Sequence, residues 1–332
     1  MGYQLLKLMR LPFLLIPDHV SPLLLIAPLL VNYPDDIYEL DLNHARIRSM
    51  AEIGLSRFTQ LEFLGLRQNL ITKIEGLESL VTLADLELYD NRISHIEGLS
   101  TLTNLTHLDL SFNLIKVIEN LEALRLLEKL YFVSNKISKI ERLDNFSKLT
   151  MLELGSNRIR TIEGLDNLVN LEELFLGKNK IKKLQNLGNL KKLRLLSIQS
   201  NRITQLEGLE ELTELEGLYL DHNGIKVIEG LENNLKLETL DLGNNFIEKL
   251  ENIEHLVNLA DIWMSGNKLD SMADVERCCK PLTKLKTIYL EGNPLQEHSG
   301  ATYRLKVRLA VPQVKQIDAT YCTQAEMNIT AS

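Results

Sequence analysis

The chain has 332 residues, of which 45% are apolar and only 5% aromatic, so its core must consist mainly of aliphatic side chains. The net charge of −8 argues against nucleic acid or an anionic membrane as the main partner, because both would repel the protein. The three cysteines, Cys278, Cys279 and Cys322, have neither the spacing of a metal site nor that of a disulfide framework. This cysteine usage favours a reducing compartment.

Residues 1–35 form an apolar N-terminal extension that we predict is not part of the fold. Its two apolar runs, with Lys7 and Arg10 near the front, invite comparison with a signal peptide or membrane anchor. Prolines interrupt both runs, and neither reaches the ~20 apolar residues that a spanning helix needs. We therefore expect no membrane partner. The segment still leaves one alternative, a secreted or membrane-tethered binding protein.

A repeated unit of mostly 22 residues fills residues 36–298. Residues 152–173 show it completely, as LELGSNRIRTIEGLDNLVNLEE. Twelve units follow one another, and nine consecutive intervals between their first leucine or isoleucine are 22 residues long. The first interval is 24 and the last is 26. The first core residues are Leu40, Leu64, Leu86, Leu108, Leu130, Leu152, Leu174, Leu196, Leu218, Leu240, Ile262 and Ile288.

This period predicts an α/β repeat fold, a solenoid with a parallel sheet on its concave side and short 3₁₀ or helical convex segments. In each L-x-L the two leucines should point from a strand into the core. The asparagine that follows should bond backbone groups where the chain leaves the strand. The long last interval predicts a fuller helix within residues 270–284. Residues 299–322 should form a C-terminal cap and 323–332 a tail.

No catalytic motif stands out in the sequence. HExxH, P-loop, GxGxxG and GxSxG patterns are missing, and the seven histidines occupy different repeat positions. His107 and Asp109 flank Leu108, but a solvated polar face explains them without a metal or an acid–base pair. We therefore predict that the protein is not an enzyme and uses no cofactor and no metal.

The outward position inside each L-x-L has an unusual composition. Five of its twelve residues are carboxylates, five are aromatic and none is basic. Exposed aromatic anchors surrounded by charge are typical of protein interfaces, and the carboxylates would steer basic partners. The alternative is that aromatic residues are simply common in strands. The position reads Asp41, Gly65, Glu87, Asp109, Tyr131, Glu153, Phe175, Ser197, Tyr219, Asp241, Trp263 and Tyr289.

Several phrases go beyond a generic repeat, among them LRQNLI (66–71), LSFNLI (110–115), HNGIKVIEGLENN (222–234) and QIDAT (316–320). Over residues 36–321 the chain resembles the leucine-rich-repeat regulators of type-1 serine/threonine protein phosphatase. The resemblance implies a non-enzymatic regulatory subunit that binds the phosphatase catalytic subunit through its concave face. It also implies location in nucleus and cytoplasm, and a further phosphatase inhibitor subunit as an additional partner.

The resemblance also implies a set of partner-binding residues. Two of them depart mildly from the family pattern, Tyr131 standing in place of phenylalanine and Asp261 in place of glutamate. The apolar residues 1–35 depart more, because the family has an acidic arm there. The implied residues are Asp109, Tyr131, Glu153, Phe175, Asp241, Asp261, Trp263 and Tyr289.

Overall fold

The computed structural model describes residues 30–31 and 33–328, which fall into two compact units divided between Arg158 and Ile159. Most of the predicted N-terminal extension lies outside the described residues. Of its last part, Leu30 is buried and its carbonyl accepts a hydrogen bond from the Arg57 guanidinium. Arg57 also pairs with Asp35 at 2.5 Å.

The first unit is a stack of six repeats with one parallel strand each. The strands pair in chain order, and the core leucines lie opposite one another, so that Leu64 is in register with Leu40 and Leu86. Two 3₁₀ turns, Ala51–Ile53 and Leu55–Arg57, follow the first strand. The strands are β1 (Glu39–Asp41), β2 (Phe63–Gly65), β3 (Asp85–Glu87), β4 (His107–Asp109), β5 (Lys129–Tyr131) and β6 (Met151–Glu153).

The second unit contains six further repeats and a cap. Its repeat strands are β7 (Glu173–Phe175), β8 (Leu195–Ser197), β9 (Gly217–Tyr219), β10 (Thr239–Asp241), β11 (Asp261–Trp263) and β12 (Thr287–Tyr289). In the cap, β13 (Gln316–Ile317) pairs parallel with β12, and β14 (Thr320–Tyr321) pairs antiparallel with β13. The helices are α1 (Met272–Cys279), α2 (Pro294–Ser299), α3 (Tyr303–Ala310) and α4 (Gln324–Asn328), with a 3₁₀ turn at Gly300–Thr302.

Aliphatic side chains at fixed repeat positions build the core, as predicted. In the second repeat seven of them are at most 1% exposed: Leu64, Leu66, Ile71, Ile74, Leu77, Leu80 and Leu83. One repeat alone cannot cover these side chains, so burial requires a neighbour on each side. The strand contributes Leu64, and Leu66 directly after it lies on the same side because side chains alternate along an extended chain.

The repeated asparagine forms the predicted ladder. Asn113 accepts a hydrogen bond from the Ile93 backbone N–H of the preceding repeat at 2.9 Å. Its amide donates to the carbonyls of Leu88 at 2.9 Å and Leu110 at 3.1 Å. Asn113 is buried, so these bonds satisfy backbone groups that water cannot reach. Each asparagine thus closes its own bend and ties it to the preceding repeat.

The return segment of each repeat is shorter than a helix. In the segment that leads to β3, the Leu80 N–H donates to the Leu77 carbonyl at 2.9 Å and the Leu83 N–H donates to the Leu80 carbonyl at 3.0 Å. These are single 3₁₀-type turns, which is what a 22-residue period leaves room for. The 26-residue interval instead accommodates the predicted longer helix, α1. Its N-cap Ser271 accepts a hydrogen bond from Asp274 N–H at 3.1 Å.

The turn before this segment requires a left-handed residue. At Gly98 φ is 69°, and an added Cβ would lie 2.5 Å from the Ile74 carbonyl oxygen. Other repeats place asparagine here, as at Asn120, where φ is 58°. The Asn120 amide donates to the Ile96 carbonyl at 2.7 Å. Glycine removes the conflict with that carbonyl, whereas asparagine uses the carbonyl as an acceptor.

The two cysteines of α1 are structural. Cys278 and Cys279 are buried, and the Cys278 thiol donates to the Leu250 carbonyl at 3.0 Å. Burial raises the pKa of the Cys278 thiol to about 12, so the thiol stays protonated and weakly nucleophilic. Helix α1 packs against α3 of the cap. Gln313 of the cap donates to the Cys279 carbonyl at 2.7 Å.

We expect the ladder to dominate stability. Asn113→Ala should lower the free energy of unfolding by about 2–4 kcal/mol, because it leaves the buried Ile93 N–H without an acceptor and removes one of the donors to the Leu88 and Leu110 carbonyls. Asn104→Ala is the matched control, since Asn104 makes one exposed bond, to Val81 O at 2.8 Å, and should cost about 1 kcal/mol or less. Urea unfolding measures both. Equal losses in the two variants would contradict this role of the ladder.

Candidate functional site: the strand face

The side of each sheet opposite the core is partly exposed, and we call it the strand face. It consists, in every repeat, of the residues directly before, between and after the two core leucines. The middle residue of each strand is buried while its neighbours are mostly half-buried, as in β3, β4 and β6. The pairing register aligns equivalent residues of successive repeats, so the strand face is built from three columns of side chains.

Carboxylates crowd the strand face of the first unit. Arg67 pairs with Glu87 at 2.7 Å and approaches Asp109 at 3.8 Å. Burial raises the pKa values of Asp85 and Glu87. Burial also raises the pKa of Glu153, with a smaller contribution from the negative charge of Asp109. These carboxylates are therefore incompletely solvated, and a cation brought by a partner would stabilise their charged forms.

Three aspartates of the middle column also have a structural role. The Asp109 carboxylate accepts a hydrogen bond from Ser111 N–H at 2.9 Å. Asp41 does the same for Asn43 N–H at 3.0 Å, and Asp241 for Gly243 N–H at 3.1 Å. The repeat pattern alone does not predict this structural role of the aspartates. The signal is the triplet Asp-Leu followed by Asn, Ser or Gly, in which the aspartate caps a strand-end N–H two residues on.

Three aromatic rings stand side by side on the strand face of the second unit. The ring centroids of Tyr219 and Trp263 are 6.1 Å apart, as are those of Trp263 and Tyr289, and both pairs meet edge to face. Trp263, the central ring, is 36% exposed. Gln316 of the cap donates to the Tyr289 hydroxyl at 2.9 Å and so orients the third ring. Fixed rings of this kind offer apolar contact area at little entropic cost.

Asp241 lies beside this aromatic group, in register with Trp263. It is only 8% exposed, so it is less available than a surface carboxylate that steers a partner. The pKa of Asp241 is raised to about 6, mainly by burial. The hydrogen bond from the Gly243 N–H lowers this pKa, and the negative charge of the nearby Asp221 raises it. Asp221 is held by the Asn244 amide at 2.9 Å and pairs with His222.

A shallow cavity of about 230 Å³ opens where strands of the second unit begin. Arg194 and Glu216 pair across it at 2.7 Å, and the Tyr219 ring forms part of its lining. Gly217 leaves room for that ring, since an added Cβ would lie 3.0 Å from Tyr219 Cε2. The feature was not predicted from the sequence, in which its signal is a glutamate two residues before the first core leucine of three nearby repeats, at Glu172, Glu216 and Glu238. The carboxylates that line it are Glu172, Glu173, Glu216 and Glu238.

The structure places all eight predicted partner-binding residues in strands, on the strand face of their own unit. In the first unit Tyr131 is in register with both Asp109 and Glu153. In the second, Asp241, Trp263 and Tyr289 lie in register across three adjacent strands. Asp261 precedes Trp263 by two residues in β11, and Phe175 lies in register with Ser197.

Metal-binding clusters and membrane-spanning helices are both missing from the described part of the chain. Within residues 30–31 and 33–328, no three histidine, cysteine, aspartate or glutamate side chains cluster in a way that could hold a metal ion. No helix among the same residues has the length and apolar character to cross a bilayer.

Comparison with known proteins agrees with this architecture. The family model described as "Leucine Rich repeats (2 copies)" matches residues 125–167, 169–211, 213–255 and 236–277. The crystal structure of an internalin (inlF) from Listeria monocytogenes superimposes with a TM-score of 0.67 at 26% sequence identity, covering 86% of this chain and 88% of that one. The chain therefore has the fold of leucine-rich-repeat proteins.

Shorter segments of the chain are similar to regulatory subunits of protein phosphatase 1. It is 54% identical over 54 residues to "Protein phosphatase 1 regulatory subunit SDS22" of Schizosaccharomyces pombe. It is also 54% identical over 53 residues to "Protein phosphatase 1 regulatory subunit 7" of Homo sapiens. Each match covers 16% of this chain, and the matches span only 16% and 14% of the relatives' own lengths.

The raised pKa of Asp241 predicts a pH-dependent stability. Because the folded state holds this proton up to about pH 6, against an ordinary pKa of 3.8, raising the pH through that window destabilises the fold. Asp241→Asn removes the charge and keeps an oxygen for Gly243 N–H. From pH 4 to pH 7, its free energy of unfolding should rise relative to wild type by on the order of 1–3 kcal/mol.

Urea unfolding at a series of pH values measures this difference. Asp166→Asn is the control, since it removes an exposed carboxylate of the same unit. The free energy of unfolding of this control should change with pH as that of the wild type does. If the free energy of unfolding of Asp241→Asn also follows that of the wild type, the buried carboxylate does not cause the pH dependence of stability in this range.

Proposed function

We propose that the protein is a non-enzymatic regulatory subunit that binds the catalytic subunit of a type-1 serine/threonine protein phosphatase through its strand face. The main support for this proposal is the exposed Trp263, which is held between Tyr219 and Tyr289. Folding does not require aromatic residues on this surface. The names of the relatives, which are regulatory subunits of this phosphatase, supply the identity of the partner.

The aromatic group has the properties of an interface hot spot. Its rings are already positioned, by edge-to-face contacts and by the Gln316 bond, so binding would cost little side-chain entropy. Tryptophan and tyrosine at the centre of an interface commonly supply most of its binding energy. Trp263 is the only tryptophan in the chain, which makes it the natural first target.

The carboxylates of the first unit would add electrostatic complementarity. Asp109 and Glu153 share the middle column with Tyr131, and Asp85 and Glu87 lie on the adjacent strand. Because several of these groups are partly desolvated, basic partner residues would gain from pairing with them. We therefore expect the partner surface to have arginine or lysine next to apolar residues.

The wider role follows from the same resemblance. We place the protein in nucleus and cytoplasm, and we count a further phosphatase inhibitor subunit among its partners. A main partner of nucleic acid is not proposed, since the net charge of −8 opposes it. The alternative, a secreted or membrane-tethered binding protein, rests on residues 1–35, most of which lie outside the described residues, and the relatives do not favour it.

Truncating the central ring tests the aromatic part of the surface. Trp263→Ala should weaken binding to the purified phosphatase catalytic subunit by roughly 2–4 kcal/mol, about 30- to 1,000-fold in Kd. Isothermal titration calorimetry measures the change. Leu235→Ala is the control, because Leu235 is an exposed apolar residue of the same unit outside its strands, and it should bind like wild type. Wild-type affinity in Trp263→Ala would refute the aromatic site.

Reversing a charge tests the acidic part. Glu153→Lys should weaken the same complex by roughly tenfold or more and remove part of its salt dependence, because it places like charges opposite one another. Glu122→Lys makes the same change of net charge at an exposed residue outside the strands of the same unit. If the two variants weaken binding equally, only net charge matters and the strand face is not the acidic contact.

A further inference from the structure

The chain leaves each strand of the first unit along a second surface, the loop edge, whose charge is opposite to that of the strand face. We define it by the fourth to eighth residues after the first core leucine, up to the end of the unit. The loop edge carries six basic residues and one acidic residue, whereas the strand face of the same unit carries six acidic and two basic. The basic residues are Arg46, Arg48, Arg92, Lys116, Lys136 and Arg158.

One residue of the loop edge does not fit its backbone. The fourth residue after the core leucine has a left-handed conformation in every repeat of this unit, with φ between 53° and 59°. Polar residues occupy the other five positions, His44, Gln68, Asp90, Ser134 and Ser156. Phe112 is the exception, with φ at 54°. A bulky side chain is an outlier there, and such backbone strain is found preferentially at functional sites.

Phe112 is also exposed, and it is part of a group. Its side chain is 42% exposed, and its ring centroid lies 4.8 Å from that of Tyr89 in the preceding repeat. The Arg67 guanidinium lies 5.7 Å from the Tyr89 ring centroid. Leu114, two residues after Phe112, is 40% exposed. Since folding alone favours a small polar residue at position 112, this apolar centre is not explained by the core.

Basic residues flank the apolar centre in register. Leu114 N–H bonds to Ile93 O and Lys136 N–H to Ile115 O, both at 2.8 Å, so successive loops are held in parallel. Arg92 and Lys136 therefore occupy the positions equivalent to Leu114 in the repeats before and after it. Within the described residues, Arg92, Lys116 and Lys136 form no ion pair with a carboxylate.

We propose that the loop edge around Phe112 and Leu114 binds an acidic peptide segment that carries an apolar or aromatic side chain. The apolar side chain covers Phe112 and Leu114, and its flanking carboxylates meet Arg92, Lys116 and Lys136. Charge complementarity selects this partner, because a basic segment would be repelled here and attracted to the strand face. The protein would thus present two docking surfaces, one for a basic partner surface and one for an acidic segment.

A library of random peptides displayed on phage, selected on the full chain, tests the proposal. Selection should enrich peptides in which aspartate or glutamate flanks an apolar residue. Those peptides should bind Phe112→Asn and Arg92→Glu roughly tenfold or more weakly than wild type. Phe246→Asn is the matched control, because Phe246 is an exposed aromatic residue of a loop in the other unit, and it should bind them like wild type.

The stability of Phe112→Asn gives an independent readout. Asparagine tolerates the left-handed conformation, as Asn244 does at the equivalent position of a later repeat, where φ is 48°. The midpoint of thermal unfolding should therefore stay the same or rise. A fall of several degrees would make Phe112 a structural residue and overturn the proposal. It is overturned as well if no acidic–apolar peptides are enriched, or if those enriched bind Phe112→Asn like wild type.

Discussion

The buried asparagine amide is the interaction on which the other features depend. Inside each unit it accepts one backbone N–H and donates to carbonyls of its own and the preceding repeat, as Asn113 does with Ile93, Leu88 and Leu110. A bend that would otherwise bury unpaired polar groups becomes the tie between neighbouring repeats. Because the tie recurs with the repeat, the strands stay in parallel register. That register turns equivalent sequence positions into columns of side chains.

The columns separate packing from recognition. Leucines and isoleucines fill the core, and the strand face is free to vary from repeat to repeat, as Tyr131 and Glu153 do in adjacent strands. The separation is incomplete, however. Asp109 and Asp241 each cap a strand-end N–H while facing the surface, so replacing them alters both the fold and the binding surface. Gln316 links the cap to the strand face through Tyr289 in the same way.

Charge is distributed with the same regularity as packing. In the first unit the strand face is acidic, and the loop edge beside it is basic around an apolar centre at Phe112 and Leu114. A net charge of −8 conceals this arrangement, because the two surfaces partly cancel. A protein with two such surfaces can hold partners of opposite charge with little competition between them. The repeat allows both surfaces without loss of packing, since each surface uses positions that the core does not need.

The sequence by itself determined the repeat fold, the twelve strands, the asparagine ladder and the column of outward residues. It could do so because a solenoid repeats one set of neighbour contacts, so that a period in the chain is also a period in space. Only the tertiary structure showed the edge-to-face rings around Trp263, the burial of Asp241, the aspartate caps and the Tyr89–Phe112 contact. These depend on rotamers and on the size of neighbouring side chains. The period carries no information about either.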